Sequence, residues 1–198
     1  MGVWPKKPYD SDSLDSNENW TSMQQRWVFG YGSLMWRPGF EFVSETRARI
    51  RGFHRSLCVY SLHHRGTGDL PGLVLGLDRG GSCTGVAFQI APSKWEATLA
   101  YLREREQVSR VYLEATRTVE ILERGKKVEA VVFIVDRAHP QYAGKLSHAH
   151  LLKHVMQGEG KMGHCRDYVM NTLAHLQQMN IRDKTLEAIG AGLNLSGR

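Results

Sequence analysis

No stretch of this 198-residue chain holds the roughly 20 consecutive apolar residues that a membrane-spanning helix needs. Met1 to Asn19 is polar and lacks the apolar segment of a secretory signal, so a cytoplasmic chain with no membrane partner is expected. Cysteine is scarce. Cys58, Cys83 and Cys165 lie far apart, form no C-x-x-C pair, and are odd in number, which excludes a complete disulfide framework. Reduced, structural thiols fit a cytosolic compartment. Like charges never run to a block of five or six, and aromatic residues do not interleave the basic ones regularly, so no nucleic-acid partner is expected. There is no internal repeat.

What is present fits one globular domain. The apolar fraction of 41% and charged fraction of 23% exclude wholesale disorder. The net charge of +6 is uneven. Residues 1–25 carry two lysines against four carboxylates, a net of −2, which leaves +8 on residues 26–198. We read 1–25, rich in Ser, Asp, Asn, Pro and Lys, as a flexible leader and 26–198 as a single domain. A basic body favours anionic partners, among them small acids.

From Arg26 the texture changes. Trp27-Val28-Phe29 starts an apolar strand that runs into the turn-forming Gly30-Tyr31-Gly32-Ser33. Alternation predicts strands over Phe42 to Ile50 and Ser56 to Leu62, and a loop over His63 to Gly72. Leu73–Leu77 and Thr84–Ile90 read as strands joined by an Asp78-Arg79-Gly80-Gly81 turn. Ser93 and Glu96 are spaced as a capping box opening a helix that reaches about Glu106. Val111–Leu122 and Val128–Val135 flank Gly125 as a hairpin. Helices follow over Leu146–Met156 and Cys165–Gln178, with Asp183 placed to cap a last one. Sequential strands with few strand–helix–strand crossovers predict an antiparallel-rich α+β domain.

Two features carry possible chemistry. The glycines at 30 and 32 allow positive φ and close ligand approach, and consecutive N–H groups in such a turn can converge on a carboxylate or oxyanion. Taken alone, the two glycines favour a plain sharp bend at the end of a core strand. A dinucleotide or P-loop reading fails, because Met35 stands where G-x-G-x-x-G needs glycine and no Gly-Lys-Ser/Thr follows. The second feature is Glu106. At about 100° per residue, Trp95, Leu99, Leu102 and Glu106 share one narrow helical stripe, while Glu104 points away. A carboxylate on an apolar stripe should have a raised pKa suited to proton transfer. A core-edge ion pair to Arg55, Arg65 or Arg110 would explain it as well. His150 and His154 lie four apart but lack the glutamate of H-E-x-x-H, so no metal is expected. His63-His64-Arg65 either approaches a substrate or forms a plain surface loop.

The segment Val28-Phe29-Gly30-Tyr31-Gly32-Ser33-Leu34-Met35-Trp36 resembles the signature of ChaC-like γ-glutamylcyclotransferases. The resemblance continues in register through Arg51-Gly52-Phe53-His54-Arg55, His64-Arg65-Gly66, Pro71-Gly72-Leu73-Val74, Gly85-Val86-Ala87-Phe88, Tyr101 to Glu106, and Gly158-Glu159-Gly160 to Tyr168-Val169. It spans roughly Trp27 to Leu176. Departures are modest: Gln107-Val108-Ser109 replaces a glycine-containing segment, and Ser56 stands where some members carry a second arginine. The resemblance implies a small mixed β-barrel with surrounding helices, a lyase splitting glutathione into 5-oxoproline and cysteinylglycine, and no cofactor. It implies Glu106 as acid/base, with Val28, Phe29, Gly30, Tyr31, Gly32, Ser33 and Leu34 holding the γ-glutamyl group. Tyr168 contacts substrate or fills a core position with Val169, Thr172 and Leu176. Two alternatives stay open: a non-catalytic regulatory protein on the same scaffold, or a cyclotransferase for other γ-glutamyl amino acids or amines.

Overall fold

The computed structural model describes residues 26–106 and 110–195. The predicted leader, the Gln107-Val108-Ser109 departure and the last three residues lie outside the described residues. Five strands close into a barrel: β1 (Arg26–Gly30), β2 (Ser44–Ser61), β3 (Gly72–Ile90), β4 (Tyr112–Ile121) and β5 (Lys126–Val135), in the order β1-β3-β2-β4-β5. All pairs are antiparallel except β1 with β5, where Trp27 faces Ala130 and Val28 faces Val131. That parallel seam removes the sheet edges. The expected α+β barrel is therefore present. Outside it lie α1 (Trp95–Glu106), α2 (His148–Gln157), a short hairpin of β6 (Glu159–Gly160) and β7 (Gly163–His164), α3 (Cys165–Gln178) and α4 (Lys184–Leu195). The last three helices pack on one another, and α2 and α3 also meet β3.

Two strand boundaries differ from the sequence reading. The pairs predicted as Phe42–Ile50 with Ser56–Leu62, and Leu73–Leu77 with Thr84–Ile90, are two unbroken strands of 18 and 19 residues. Gly80 and Gly81, which signalled a turn, act as a bulge together with Gly52 on the facing strand. Gly52 takes φ +80°, Gly80 +103° and Gly81 +68°, while the ladder shifts register between Arg51↔Ser82 and Phe53↔Arg79 and then continues. Glycine alone adopts these angles without strain, so a local search cannot tell a bend from a reversal.

The predicted capping box is also absent. Pro92–Lys94 forms a 3-10 turn that takes up Ser93, and Thr98 instead donates its hydroxyl to the Lys94 carbonyl. Asp183 does cap α4, accepting the Leu186 N–H at 3.1 Å. Ser147 caps α2. All three cysteines are free and buried. Burial pushes the Cys58 thiol up to about 12 and the Cys165 thiol up to about 11, so neither is a thiolate near neutrality. The core runs through the barrel and under the helices, with Phe29, Phe88, Phe133, Leu102 and Leu176 fully buried.

Candidate active site

The turn after β1 is set by packing rather than by positive φ. Neither Gly30 nor Gly32 is among the positive-φ glycines. A Cβ at Gly30 would sit 3.1 Å from the Leu34 Cβ, a tight contact that Leu34 would have to yield to by a few tenths of an ångström. Residues Ser33–Met35 then form one 3-10 turn, closed by the Met35 N–H to the Gly32 carbonyl and the Arg37 N–H to the Ser33 carbonyl. The first N–H groups of such a turn have no acceptor within it, which leaves those of Gly32, Ser33 and Leu34 for a ligand.

Glu106 is the last residue of α1, on the buried side as the stripe predicted. Leu99 and Leu102 are buried, Glu104 is exposed, and the Glu106 side chain is 18% exposed. Burial raises its pKa above the ordinary carboxylate value, opposed by the charge and hydrogen bond of Arg105. Its ion-pair partner is that adjacent residue, not Arg55, Arg65 or Arg110: Arg105 Nε lies 3.1 Å from Glu106 Oε1. The same guanidinium donates to Ser33 Oγ at 3.0 Å, the Arg37 carbonyl at 2.6 Å and the Tyr101 hydroxyl at 3.0 Å. Arg105 therefore ties the end of α1 to the glycine-rich turn. Arg105 falls within the Tyr101 to Glu106 segment of the family resemblance, but its tie to Ser33 and Arg37, some 70 positions upstream, is not encoded in any local pattern.

Ser33, Arg105, Glu106 and Tyr168 line one cavity of about 420 Å³, with Trp36, Arg37, His64, Arg65, Tyr112, Asn171 and His175. A smaller cavity of about 260 Å³ shares Glu106, Arg105, Tyr112 and His64 with it and adds His63. Glu106 is the one carboxylate among these lining residues; the walls are otherwise cationic or neutral. Trp36 stacks on His175 at 4.6 Å, and the Arg65 guanidinium lies 5.5 Å from the centre of the Tyr168 ring.

Two tyrosine hydroxyls meet at one residue of β3. Tyr112 donates to the Leu75 carbonyl at 2.7 Å, and the Leu75 N–H donates to Tyr168 Oη at 3.3 Å. This happens beside a second register shift, between Leu57 and Val59, where the ladder is interrupted. Tyr168 is thus both packed against the core and directed to the cavity. Because its oxygen accepts from Leu75, its own proton remains for donation. Tyr31 is buried, and burial, with the nearby charges of Tyr112 and Glu106, pushes its hydroxyl well above the usual tyrosine value. Burial pushes Tyr112 and Tyr168 up as well, so all three are neutral donors at neutral pH.

The remaining sequence candidates are placed differently. The Val28 and Phe29 side chains are fully buried in the barrel core and paired with Phe88 and Ala87, and the Leu34 side chain is buried too. None of the three lines the cavities around Glu106, and the Val28 and Phe29 backbone is taken up by pairing within the barrel. The loop bearing His63-His64-Arg65 is held by close backbone packing: Cβ atoms at Gly66 and Gly72 would lie 2.1 and 2.0 Å from the backbone of Gly72 and Arg65 within the loop itself, and Cβ atoms at Gly158 and Gly160 would lie 2.5 Å from the Arg65 and His63 carbonyls across the joint. The Lys161 and Met162 N–H groups bond the His63 and His64 carbonyls across this joint. His150 and His154 build no metal site, and among the described residues no cluster could hold one.

Removing Arg105 has a signed consequence. Its charge lowers the Glu106 pKa, so Arg105→Met is expected to raise that pKa. With the ionised carboxylate as the working form, the acidic limb of the pH–rate profile moves to higher pH. A profile measured from pH 5 to 9 checks this, and an unmoved limb would show that Glu106 does not set it.

Comparison with known proteins adds an independent line. Residues 26–194 match the family model described as ChaC-like protein. The Escherichia coli K12 protein named glutathione-specific gamma-glutamylcyclotransferase is 33% identical over 160 residues, covering 81% of this chain and 69% of that one. A Danio rerio protein named glutathione-specific gamma-glutamylcyclotransferase 1 is 35% identical, covering 79% of this chain and 81% of its own. The crystal structure of a yeast cyclotransferase specific to glutathione superposes with a TM-score of 0.77 at 23% identity, over 88% of this chain and the whole of that one. That likeness speaks for the fold.

Proposed function

The chain belongs to the ChaC-like protein family, and on that footing we propose that it is a glutathione-specific γ-glutamylcyclotransferase. The products would be 5-oxoproline and cysteinylglycine. The observation that carries this reading is the half-buried Glu106 carboxylate, facing a cationic cavity and bound through Arg105 to the glycine-rich turn.

In the reaction the α-amine of the γ-glutamyl residue attacks its own γ-carbonyl carbon. A C–N bond forms within a five-membered ring and the bond to the cysteine nitrogen breaks; counted from the ammonium form, two protons leave the attacking nitrogen and two reach the departing one, which leaves as ammonium. The lone carboxylate performs both transfers in turn, first as base and then as acid. A raised pKa suits that double duty, since the protonated form must be accessible near neutrality. The Gly32, Ser33 and Leu34 N–H groups would receive the α-carboxylate or the tetrahedral oxyanion. Tyr168, with a proton to donate, would serve the same end. His64, Arg65 and Arg37 match the carboxylate at the glycine end of glutathione. Holding the glutamyl chain folded back on itself removes rotor freedom in advance, worth several kcal/mol.

Free, buried cysteines accord with action in the reducing cytoplasm, where glutathione is abundant. The test is to incubate the purified protein with glutathione and, separately, with γ-glutamyl-alanine, and to quantify 5-oxoproline and free cysteinylglycine. Product from glutathione alone supports the narrow specificity. Product from both would widen the substrate class to other γ-glutamyl amino acids, and product from neither would leave a binding protein.

A further inference from the structure

A second cavity, of about 790 Å³, opens between the middles of β2 and β3, the segment 136–147 and the first turns of α2 and α4. It shares no lining residue with the cavities around Glu106. Five of its lining residues are Arg or Lys (Arg55, Arg79, Arg137, Lys145 and Lys184) against one carboxylate, Asp78. That carboxylate is already committed. Asp78 accepts Arg137 Nε at 2.7 Å, the Tyr142 hydroxyl at 2.8 Å and the Arg79 N–H at 2.8 Å. Arg55 is likewise matched, by Asp183 at 3.3 Å. The charges left over belong to Arg79, Lys145 and Lys184, which form no ion pair among the described residues, although Lys184 also acts on the charge of Glu187.

Three like charges brought round one concavity repel one another and raise the local potential for anions. A single small anion would answer only one of them. An occupant bearing several negative charges along a short chain would answer all three. His148, the first residue of α2, also lines the cavity, so the positive end of that helix adds to the field. Leu57, Leu146 and Leu151 give the cavity an apolar portion that could take an organic body. We infer that this cleft is a binding site for a polyphosphate chain, either free or carried by a nucleoside, separate from the site that holds the γ-glutamyl substrate. Arg55 forms part of its wall and also donates to the Tyr31 carbonyl of the glycine-rich turn, so the two sites meet at one guanidinium.

The test is calorimetric titration of the full chain with ATP, inorganic tripolyphosphate and adenosine, without and with saturating glutathione. ATP or tripolyphosphate should bind, adenosine should not, and glutathione should leave the binding in place. The stronger of the two binders identifies the source of the phosphates. Lys145→Glu with Lys184→Glu should weaken binding at least tenfold. Both lysines are exposed, so fold and glutathione turnover should be retained in that variant. Arg79→Ala, tested separately, should weaken binding without reversing a charge. Absence of heat with both phosphates, heat unchanged in the charge-reversed variant, or displacement by glutathione would each overturn the assignment.

Discussion

Glu106→Gln is expected to fold normally yet release 5-oxoproline from glutathione about 10²–10⁴-fold more slowly, the usual contribution of a positioned acid–base group. Glutamine keeps the shape and can still meet Arg105, but it neither takes the ammonium proton nor returns one to the leaving nitrogen. The stability change carries a sign. Burial raises the Glu106 pKa in the folded state, so its protonated form favours folding and that contribution is lost as the pH rises through the folded pKa. Near neutrality the ionised carboxylate is therefore a cost, and the amide removes it. The melting temperature of the variant should be no lower than that of the parent. Wild-type turnover in a well-folded Glu106→Gln protein would take this residue out of the mechanism.

The second large effect concerns stability. Arg55→Met should lower the melting temperature by about 6–20 °C, taking ~3–5 kcal/mol for breaking a buried pair and ~2–4 °C per kcal/mol in a domain of this size. The Arg55 side chain is 4% exposed and Asp183 12% exposed. Arg55 donates to the Tyr31 carbonyl at 2.5 Å and the Thr84 carbonyl at 2.7 Å, and pairs with Asp183, the residue that caps α4. Removing it strands two carbonyls and one carboxylate together. Thermal denaturation decides the matter, and Asp183→Asn refines it. Asparagine still caps the helix but cannot answer the charge, so it should cost less than Arg55→Met while remaining measurable. A melting temperature within 2 °C of the parent in Arg55→Met would show the pair to be idle.

Much of this was legible before any coordinates. The apolar stripe Trp95-Leu99-Leu102 placed Glu106 on the buried side because a helix has a single dominant period, and a misfit polar residue stands out against it. The hairpin at Gly125 and the Asp183 cap were readable because each is a local device. Longer strands were not. Gly52, Gly80 and Gly81 carry the same residue signal whether the chain reverses or merely bends, and only the partner strand decides. The Ser93–Glu96 spacing misled because Pro92 pre-forms a tighter turn that takes up the serine. Arg105, Tyr112 and the Arg55–Asp183 pair were hidden for a different reason. Each acts on residues brought near by barrel closure, and no local pattern encodes that. The resemblance read from motifs stopped near Leu176, short of the helix that Arg55 ties to the glycine-rich turn.

The glycine joint behind His64 and Arg65 bears on how this protein can change over generations. Gly66 and Gly72 on one segment and Gly158 and Gly160 on the other interlock main chain against main chain, with no side chain to trim in compensation. A methyl group gained at any one of the four has no neighbour that a second substitution could shrink, so drift at these positions is barred singly and in pairs. The two arms of that joint must therefore be inherited as a unit, and new leaving-group preferences would have to arise from the residues they display.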